Sequence, residues 1–257
     1  MAGDILLRSD KGPVATLVLN RPKHLNAFNR ELRLALIAAV RAIDADPAIR
    51  VAILKGEGRS FCAGADLTEG LAGDVAAMLE AEYKPFLTGI AASRVIWIAQ
   101  VQGAAAGIGA ATAMACDLVA MADDAYVYMA FAAIGLIPDG GNTWLLGNAM
   151  GYRHALAAIL EGRKIPAGEC VGYGIANRTF APDALDAGVA QWAGNLANGA
   201  PLAMAAAKKL LRENHRRSFA EAIDAEARAQ NPLTRSADFR NAVKAFFGKR
   251  KPEFSGR

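Results

Sequence analysis

A long uncharged segment runs through the middle of this sequence. No charged side chain lies between Arg94 and Asp117, and that length is sufficient for a helix to cross a lipid bilayer. The interior of the segment is rich in alanine and glycine and contains Gln100 and Gln102. Alanine favours lipid only weakly. We therefore predict two buried elements joined by a glycine turn in a soluble core, with no membrane as a partner.

Apolar runs on either side of this segment predict the fold class. Residues 14–19, 51–54, 95–101 and 118–121 are expected strands, and Asn29 is the expected N-cap of the first long helix. The runs at 51–54 and 118–121 do not alternate with polar residues. Continuous apolar strands separated by helices are typical of a parallel sheet covered on both faces, and therefore of an α/β protein.

The last quarter of the chain has a helical pattern. From about Asp183 onward, apolar residues recur at helical spacing, which predicts a core over residues 1–195 and a helical region over 196–257. The expected helices and caps are residues 201–212, 219–229 capped by Ser218, and a last helix through Phe247 capped by Thr234 or Ser236.

Charge and cysteine content restrict the possible partners. A net charge of +4 gives no reason to expect nucleic acid, and we interpret the basic residues between Lys208 and Arg217 as a solvated helix face. Cys62, Cys116 and Cys170 are odd in number and far apart, which favours a reducing cytoplasm over a disulfide framework. Neither the cysteines nor the isolated histidines have metal-ligand spacing, so no metal is expected.

Three segments have the composition of a catalytic site. Residues 59–67 and 103–109 contain small residues that leave backbone amides accessible, an arrangement suited to an oxyanion or a phosphate. The glycines of the second segment fit neither a dinucleotide-binding nor a Walker motif. In the third, residues 135–144, Asp139 stands between Pro138 and two glycines. Desolvation there would raise the pKa of Asp139 and suit it to proton transfer; the alternative is an ordinary helix N-cap.

In their order along the chain, these segments resemble the crotonase superfamily, the enoyl-CoA hydratase/isomerase family. The resemblance implies a spiral of ββα units with a C-terminal helical region that builds trimers, often paired into hexamers. It also implies an acyl-CoA substrate and no cofactor beyond the coenzyme A that the substrate carries. The matching segments are residues 20–27, 61–67, 102–117, 135–144 and 245–252.

Site residues follow from the resemblance position by position. The backbone amides of Ala65 and Ile108 would hold the thioester oxyanion, and Asp139 would transfer the proton. The carbonyl of Ala63 would accept a hydrogen bond from adenine, and a neighbouring subunit would contribute Phe246 and Lys249. The full set expected to contact acyl-CoA is Lys23, His24, Leu25, Ala63, Asp66, Leu67, Phe131, Trp144, Phe246 and Lys249.

Departures from the family pattern indicate the reaction. Ala111 and Phe131 stand where hydratases of the family have their two glutamates, so Asp139 is the remaining carboxylate. The third segment is most similar to the branch that isomerises ring-epoxidised phenylacetyl-CoA and shifts enoyl double bonds. We therefore expect an acyl-CoA isomerase with an apolar pocket formed by Phe131, Leu136 and Trp144.

Three alternatives remain open at this stage. The first is a hydratase that uses Asp139 and water alone. The second is another chemistry of the superfamily, such as thioester hydrolysis or dehalogenation, with Asp139 as a nucleophile. The third is a non-catalytic member that binds coenzyme A or RNA, with Arg216 and Arg217 in the RNA-binding surface.

Overall fold

The structure is a computed structural model that describes residues 4–70 and 73–257. Its strands are β1 (Leu6–Lys11), β2 (Val14–Leu19), β3 (Val51–Gly56), β4 (Ile96–Val101), β5 (Ala104–Ala106), β6 (Leu118–Ala122), β7 (Tyr126–Tyr128), β8 (Lys164–Pro166) and β9 (Arg178–Phe180). Its α-helices are α1 (Arg30–Ala45), α2 (Val75–Met78), α3 (Lys84–Ala92), α4 (Ile108–Ala115), α5 (Asn142–Glu161), α6 (Ala167–Gly172), α7 (Leu185–Ala197), α8 (Pro201–Glu213), α9 (Phe219–Thr234) and α10 (Ala237–Phe247).

The main sheet is parallel except at one edge. Its strand order is β1-β2-β3-β4-β6-β9, and within the described part of this sheet only the β1-β2 pair is antiparallel. All six residues of β4 are buried, because α4 and α7 both pack against this strand. The strands predicted at residues 14–19, 51–54, 95–101 and 118–121 are confirmed, with ends that shift by no more than two residues.

A smaller sheet gives the fold its spiral repeat. It has the order β5-β7-β8, and β5 and β7 alternate along the chain with β4 and β6 of the main sheet. The chain passes from β4 in the main sheet to β5 in the small sheet and then to α4; it repeats this order through β6, β7 and α5. The repeat confirms the expected α/β spiral of ββα units.

The uncharged segment forms β4, β5 and α4 inside the core. Seven of the eight residues of α4 are buried. Within residues 4–70 and 73–257, no helix combines the length and apolar character that a bilayer crossing requires. Helix α4 also passes very close to another segment, since a Cβ on Gly109 would lie 2.6 Å from the carbonyl oxygen of Cys62. Glycine at this position therefore permits the packing.

Helices α8, α9 and α10 follow the predicted C-terminal pattern. Ser218 caps α9 in a capping box with Glu221, and Ser236, rather than Thr234, caps α10. Helix α9 continues past the predicted end at Ala229, because Pro232 is accommodated within it. The division into a core over 1–195 and a helical region over 196–257 stays a prediction.

The basic residues of α8 correct one interpretation. Lys208 does not lie on a solvated face: it is 8% exposed, and its Nζ donates to the carbonyl oxygens of Ile90 at 3.0 Å and Val95 at 2.8 Å. Lys208 also forms an ion pair with Asp117 at 2.7 Å, and Arg212 contacts the same carboxylate at 2.8 Å. Helical periodicity showed that these charged residues share one face of α8. It did not show that this face packs against the carboxylate of Asp117.

Candidate active site

The first two glycine-containing segments lie side by side. The backbone N–H of Cys62 donates to the carbonyl of Ala104 at 3.1 Å, and the N–H of Ala106 donates to the carbonyl of Cys62 at 2.9 Å. Gly64 has a φ of +105°, and a Cβ there would lie 3.1 Å from the carbonyl oxygen of Ala106. The close backbone approach brings the turn before Ala65 against the turn before α4.

Ala65 and Ile108 both present unused backbone donors. Neither N–H donates to an atom of residues 4–70 and 73–257. Phe28 forms backbone hydrogen bonds with the residues on both sides of Ala65. Its N–H donates to the Gly64 carbonyl at 2.8 Å, and its carbonyl accepts from the Asp66 N–H at 3.0 Å. Ile108 opens α4, where the first N–H groups have no partner within the helix. Both amides are therefore available for a negatively charged oxygen.

Gly140 places the third segment against the Ile108 turn. A Cβ on Gly140 would lie 2.7 Å from Cγ1 of Ile108 and 3.0 Å from Cβ of Ala111. The φ of Gly140 is +60°, a conformation that also favours glycine. Because Gly140 packs directly on α4, the adjacent Asp139 lies beside the turn that carries the Ile108 amide.

The carboxyl group of Asp139 is desolvated. Its Oδ1 is buried and accepts no hydrogen bond from the residues that the structure describes. Burial raises the pKa of Asp139 to about 6. The N-cap of α5 is Gly141, with no side-chain cap, so the alternative interpretation of Asp139 as a helix cap is wrong. The structure agrees instead with the first interpretation, in which the carboxyl group of Asp139 is desolvated and has a raised pKa.

Tyr83 is a neighbour of this site that the sequence did not indicate. It is 2% exposed and lines a cavity of about 420 Å³ together with Gly140 and Gly141. Burial raises the pKa of Tyr83 to about 12, and the charge of Asp139 contributes to the increase. Leu79 and Leu87 make the same cavity apolar. The cavity therefore lies next to Asp139 through Gly140, and its lining is mostly apolar, with Glu80, Lys84 and Thr88 as its polar residues.

A buried arginine holds Tyr83 in place. Arg33 on α1 donates to the Tyr83 hydroxyl at 3.4 Å and, through Nε, to Glu82 at 2.8 Å. Tyr83 ends a π-helical turn, Leu79–Tyr83, between α2 and α3. A π-helical turn has no characteristic sequence pattern. The ion pair between Arg33 and Glu82 joins residues that are far apart in the sequence. Helical periodicity could have shown Arg33 on the buried face of α1, but not its partner.

The aromatic residues predicted for the acyl pocket differ in exposure. Phe131 is 8% exposed, and its ring carbon Cζ lies 3.5 Å from the position of a Cβ on Gly107. Trp144 is half exposed and packs edge-on against His215, with 5.5 Å between the ring centroids. Phe131 therefore borders the Ile108 turn, whereas Leu136 and Trp144 present much of their side chains to the surface.

The residues predicted to bind coenzyme A are partly assembled. Lys23 and His24 are exposed and line a cleft of about 510 Å³. Leu25 has a φ of +49°, and its carbonyl accepts from the N–H of Ala63 at 2.9 Å. The carbonyl of Ala63 accepts no hydrogen bond within the described ranges. These positions are compatible with a ligand, and their roles stay predictions.

Asp66 and Leu67 follow the Ala65 amide. Asp66 caps the short 3-10 helix Leu67–Glu69 and forms an ion pair with Arg21 at 2.8 Å. The Thr68 hydroxyl and the Arg21 guanidinium hold the pKa of Asp66 below its usual range, although burial acts in the opposite direction. Asp66 thus stabilises the Ala65 loop, and Leu67 is exposed beside it.

The last two predicted residues, Phe246 and Lys249, lie at the exposed end of α10. Phe246 is 78% exposed, and its ring packs edge-on against that of Phe247. Within the ranges described, no three His, Cys, Asp or Glu side chains are grouped to hold a metal ion.

Comparison with known proteins identifies the family. The sequence model described as enoyl-CoA hydratase/isomerase matches residues 9–257. This chain belongs to the enoyl-CoA hydratase/isomerase family. Its relatives in that family include the 1,2-epoxyphenylacetyl-CoA isomerase of Escherichia coli (strain K12), which is 35% identical over 98% of both chains. A protein of Rhodobacter capsulatus named a probable enoyl-CoA hydratase is 37% identical over 95% of both chains.

Solved structures agree with the family assignment. An enoyl-CoA hydratase from Polaromonas sp. JS666 superimposes with a TM-score of 0.92 and 28% identity, over 97% of this chain and 99% of that one. The chain therefore has the crotonase fold of the enoyl-CoA hydratase/isomerase family and is an enzyme of that family. Relatives in this family have both isomerase and hydratase names, so the reaction must be inferred from the site.

Proposed function

We propose that this protein is an acyl-CoA double-bond isomerase. In this proposal the amides of Ala65 and Ile108 hold the thioester oxygen, and Asp139 moves the proton. The observation that carries the proposal is the desolvated carboxyl group of Asp139, whose Oδ1 accepts no hydrogen bond from the described residues, in a residue next to the Gly140 that packs on Ile108. A group with these properties is suited to general base and then general acid catalysis near neutral pH.

The proposed reaction needs one carboxylate. Ionised Asp139 removes a proton from C2 of a 3-enoyl thioester, and the electron pair of that C–H bond delocalises onto the thioester oxygen. The two amides stabilise the resulting dienolate. Protonated Asp139 then returns the proton to C4, and the double bond moves into conjugation between C2 and C3. The same carboxylate is regenerated, so no cofactor is required beyond the coenzyme A of the substrate.

Hydration is the second candidate, favoured by the name of the Rhodobacter capsulatus relative. Adding water requires one group to activate water and another to protonate the α-carbon. The methyl group of Ala111 and the ring of Phe131 occupy the positions at which the family resemblance implies glutamates. Asp139 would have to perform both steps with water alone, which makes hydration the weaker proposal.

The deciding experiment follows 3-enoyl-CoA and 2-enoyl-CoA by ultraviolet absorption and mass spectrometry. We expect the 3-enoyl substrate to gain conjugation without gaining the mass of water. The Asp139→Asn variant should lose about a thousandfold or more in kcat while still binding CoA thioesters. Asp124→Asn, which changes an exposed carboxylate, is the matched control. Full activity in Asp139→Asn would overturn the assignment, and a water adduct would establish the hydratase instead.

The wider setting of the enzyme is also a proposal. We infer that Lys23, His24 and the Ala63 carbonyl bind the coenzyme A moiety, and that Phe246 and Lys249 extend into the site of a neighbouring subunit. A homotrimer or a dimer of trimers would cover the exposed Phe246 and Phe247. An aromatic or ring-derived acyl group fits the apolar residues beside Asp139. Three buried free thiols suit a reducing cytoplasm.

A further inference from the structure

Asn142 connects two parts of the proposed site. It is fully buried at the start of α5, and its Nδ2 donates to the carbonyl oxygens of Gly107 and Asp139, both at 3.0 Å. Because both partners are carbonyl oxygens, the side chain must present its nitrogen to them. The backbone N–H of Asn142 donates to the same Asp139 carbonyl at 3.0 Å.

The bond to Gly107 acts on the proposed oxyanion donor. The carbonyl of Gly107 and the N–H of Ile108 are the two ends of one peptide group. A donor on the carbonyl polarises that group and makes its N–H a stronger donor. That carbonyl also accepts from the N–H groups of Ala110 at 3.0 Å and Ala111 at 3.3 Å, so Asn142 is its third donor. Asn142 adds to the restraint on the plane of the peptide, and hence on the direction of the N–H. Gly107 is a glycine with a φ of +53°, and it has no side chain that could restrain the turn.

The bond to Asp139 acts on the proposed proton carrier. Two donors from Asn142 hold the carbonyl of Asp139, while the carboxyl group accepts nothing at Oδ1. The backbone of Asp139 is thus fixed and its carboxyl group is left available. One side chain thereby sets the relative position of the Ile108 amide and Asp139.

Simple packing does not account for the amide of Asn142. Its Oδ1 is buried without a hydrogen-bond donor in the described part of the chain. Burying an unpaired acceptor is unfavourable and offsets part of the stabilisation that the two Nδ2 bonds provide. What the amide contributes is its pair of donors.

We propose that Asn142 is a positioning residue that orients and polarises the Ile108 peptide and holds it in register with Asp139; this rests on the proposed function. The variants that test it are Asn142→Ala, which removes the donors, and Asn142→Leu, which keeps a branched side chain but has no polar atom. The matched control is Asn148→Ala. Asn148 lies on the same helix, is exposed, and donates to the carbonyl of Trp144 at 2.8 Å.

Two readouts separate positioning from packing. The first is turnover of 3-enoyl-CoA, for which we expect both Asn142 variants to lose roughly tenfold in kcat with KM changed less than about threefold. The second is bound cinnamoyl-CoA, whose absorption moves to longer wavelength when its thioester carbonyl is polarised. We expect this shift to fall in both Asn142 variants and to persist in Asn148→Ala. Thermal melting checks that each variant is folded.

The possible outcomes distinguish this inference from the proposed function. Unchanged kcat and an unchanged absorption shift in the Asn142 variants would overturn the inference and leave the isomerase intact. Loss in Asn142→Ala but not in Asn142→Leu would show a packing role and also overturn it, as would failure of both variants to fold. If the unaltered enzyme shifts the probe without isomerising, the proposed reaction fails, and a reduced shift in the variants still supports the role of Asn142. If it does neither, both are wrong.

Discussion

The Oδ1 atom of Asp139 is buried, and no donor in the described part of the chain forms a hydrogen bond with it. The sequence allowed this to be predicted, because the residue is flanked by Pro138 and followed by two glycines that offer no polar side chain. The sequence did not show that Gly140 packs against Ile108, and that contact is what brings the backbone of Asp139 next to the turn. A raised pKa near 6 has consequences for both activity and stability.

The first consequence is a pH-dependent rate. Proton abstraction needs ionised Asp139, so kcat/KM for a 3-enoyl-CoA should rise about tenfold per pH unit below pH 6 and level off above it. Initial rates measured between pH 4.5 and 8 test this expectation. A flat profile over that range would contradict the assignment of Asp139 as the base.

The second consequence concerns the free energy of unfolding. The pKa of Asp139 is raised in the folded protein, so its contribution to stability is present at low pH and is lost as the pH rises through about 6. Asp139→Asn should therefore be more stable than the unaltered protein at pH 8, by at most about 3 kcal/mol, and should differ little near pH 4. Urea unfolding at the two pH values measures this, and equal differences at both would contradict it.

At the scale of elements, the site depends on how closely α4 passes the segment around Cys62. The turn at Gly107, which carries one of the two proposed oxyanion donors, is positioned by this contact, and the strand β5 before it pairs with β7. The alanine- and glycine-rich composition of α4 is thus a packing requirement. It also explains why a segment without charge lies in a protein core.

Gly109→Ala should destabilise the protein by about 1–3 kcal/mol, because the added methyl group would overlap the carbonyl of Cys62 at 2.6 Å. Gly147→Ala on α5 is the matched control, since nothing lies within 4 Å of the added Cβ. That control should be neutral or stabilising by up to about 1 kcal/mol. Equal unfolding midpoints for the two variants would show that α4 can move away from Cys62.

Other elements show where sequence reasoning stops. Strands β3 and β4 were predictable because burial on both faces leaves continuous apolar runs. The caps Asn29 and Ser218 were predictable because capping uses local side chains. Tyr83 was not predictable, since its place beside Asp139 depends on a π-helical turn and on a hydrogen bond from a distant helix.

At the scale of the whole molecule, a buried ion pair connects the C-terminal helices to the main sheet. The Asp117 carboxylate pairs with both Lys208 and Arg212 of α8, and its Oδ2 also accepts a hydrogen bond from the N–H of Trp97 at 2.9 Å. This contact joins α8 to β4 directly. The helical region is therefore part of the folded unit that carries the site.

Lys208→Met should cost about 3 kcal/mol in the free energy of unfolding, because Asp117 and the carbonyls of Ile90 and Val95 lose a buried donor. Lys209→Met is the matched control on the neighbouring, exposed position and should change stability by less than about 0.5 kcal/mol. Urea unfolding compares them. A small effect of Lys208→Met would mean that Arg212 alone secures the helix.

The use of peptide N–H groups at Ala65 and Ile108 has a consequence for how such an enzyme changes over evolutionary time. Substitution of a side chain leaves the N–H in place, and proline alone removes it. If Ala65 and Ile108 act as proposed, a lineage can exchange the surrounding acids and bases while the two amide donors are inherited intact. The alanine at 111 and the phenylalanine at 131, where the family resemblance implies glutamates, would be such exchanges. New reactions on this frame need only a carboxyl group in a new place, and Asp139 is one such position.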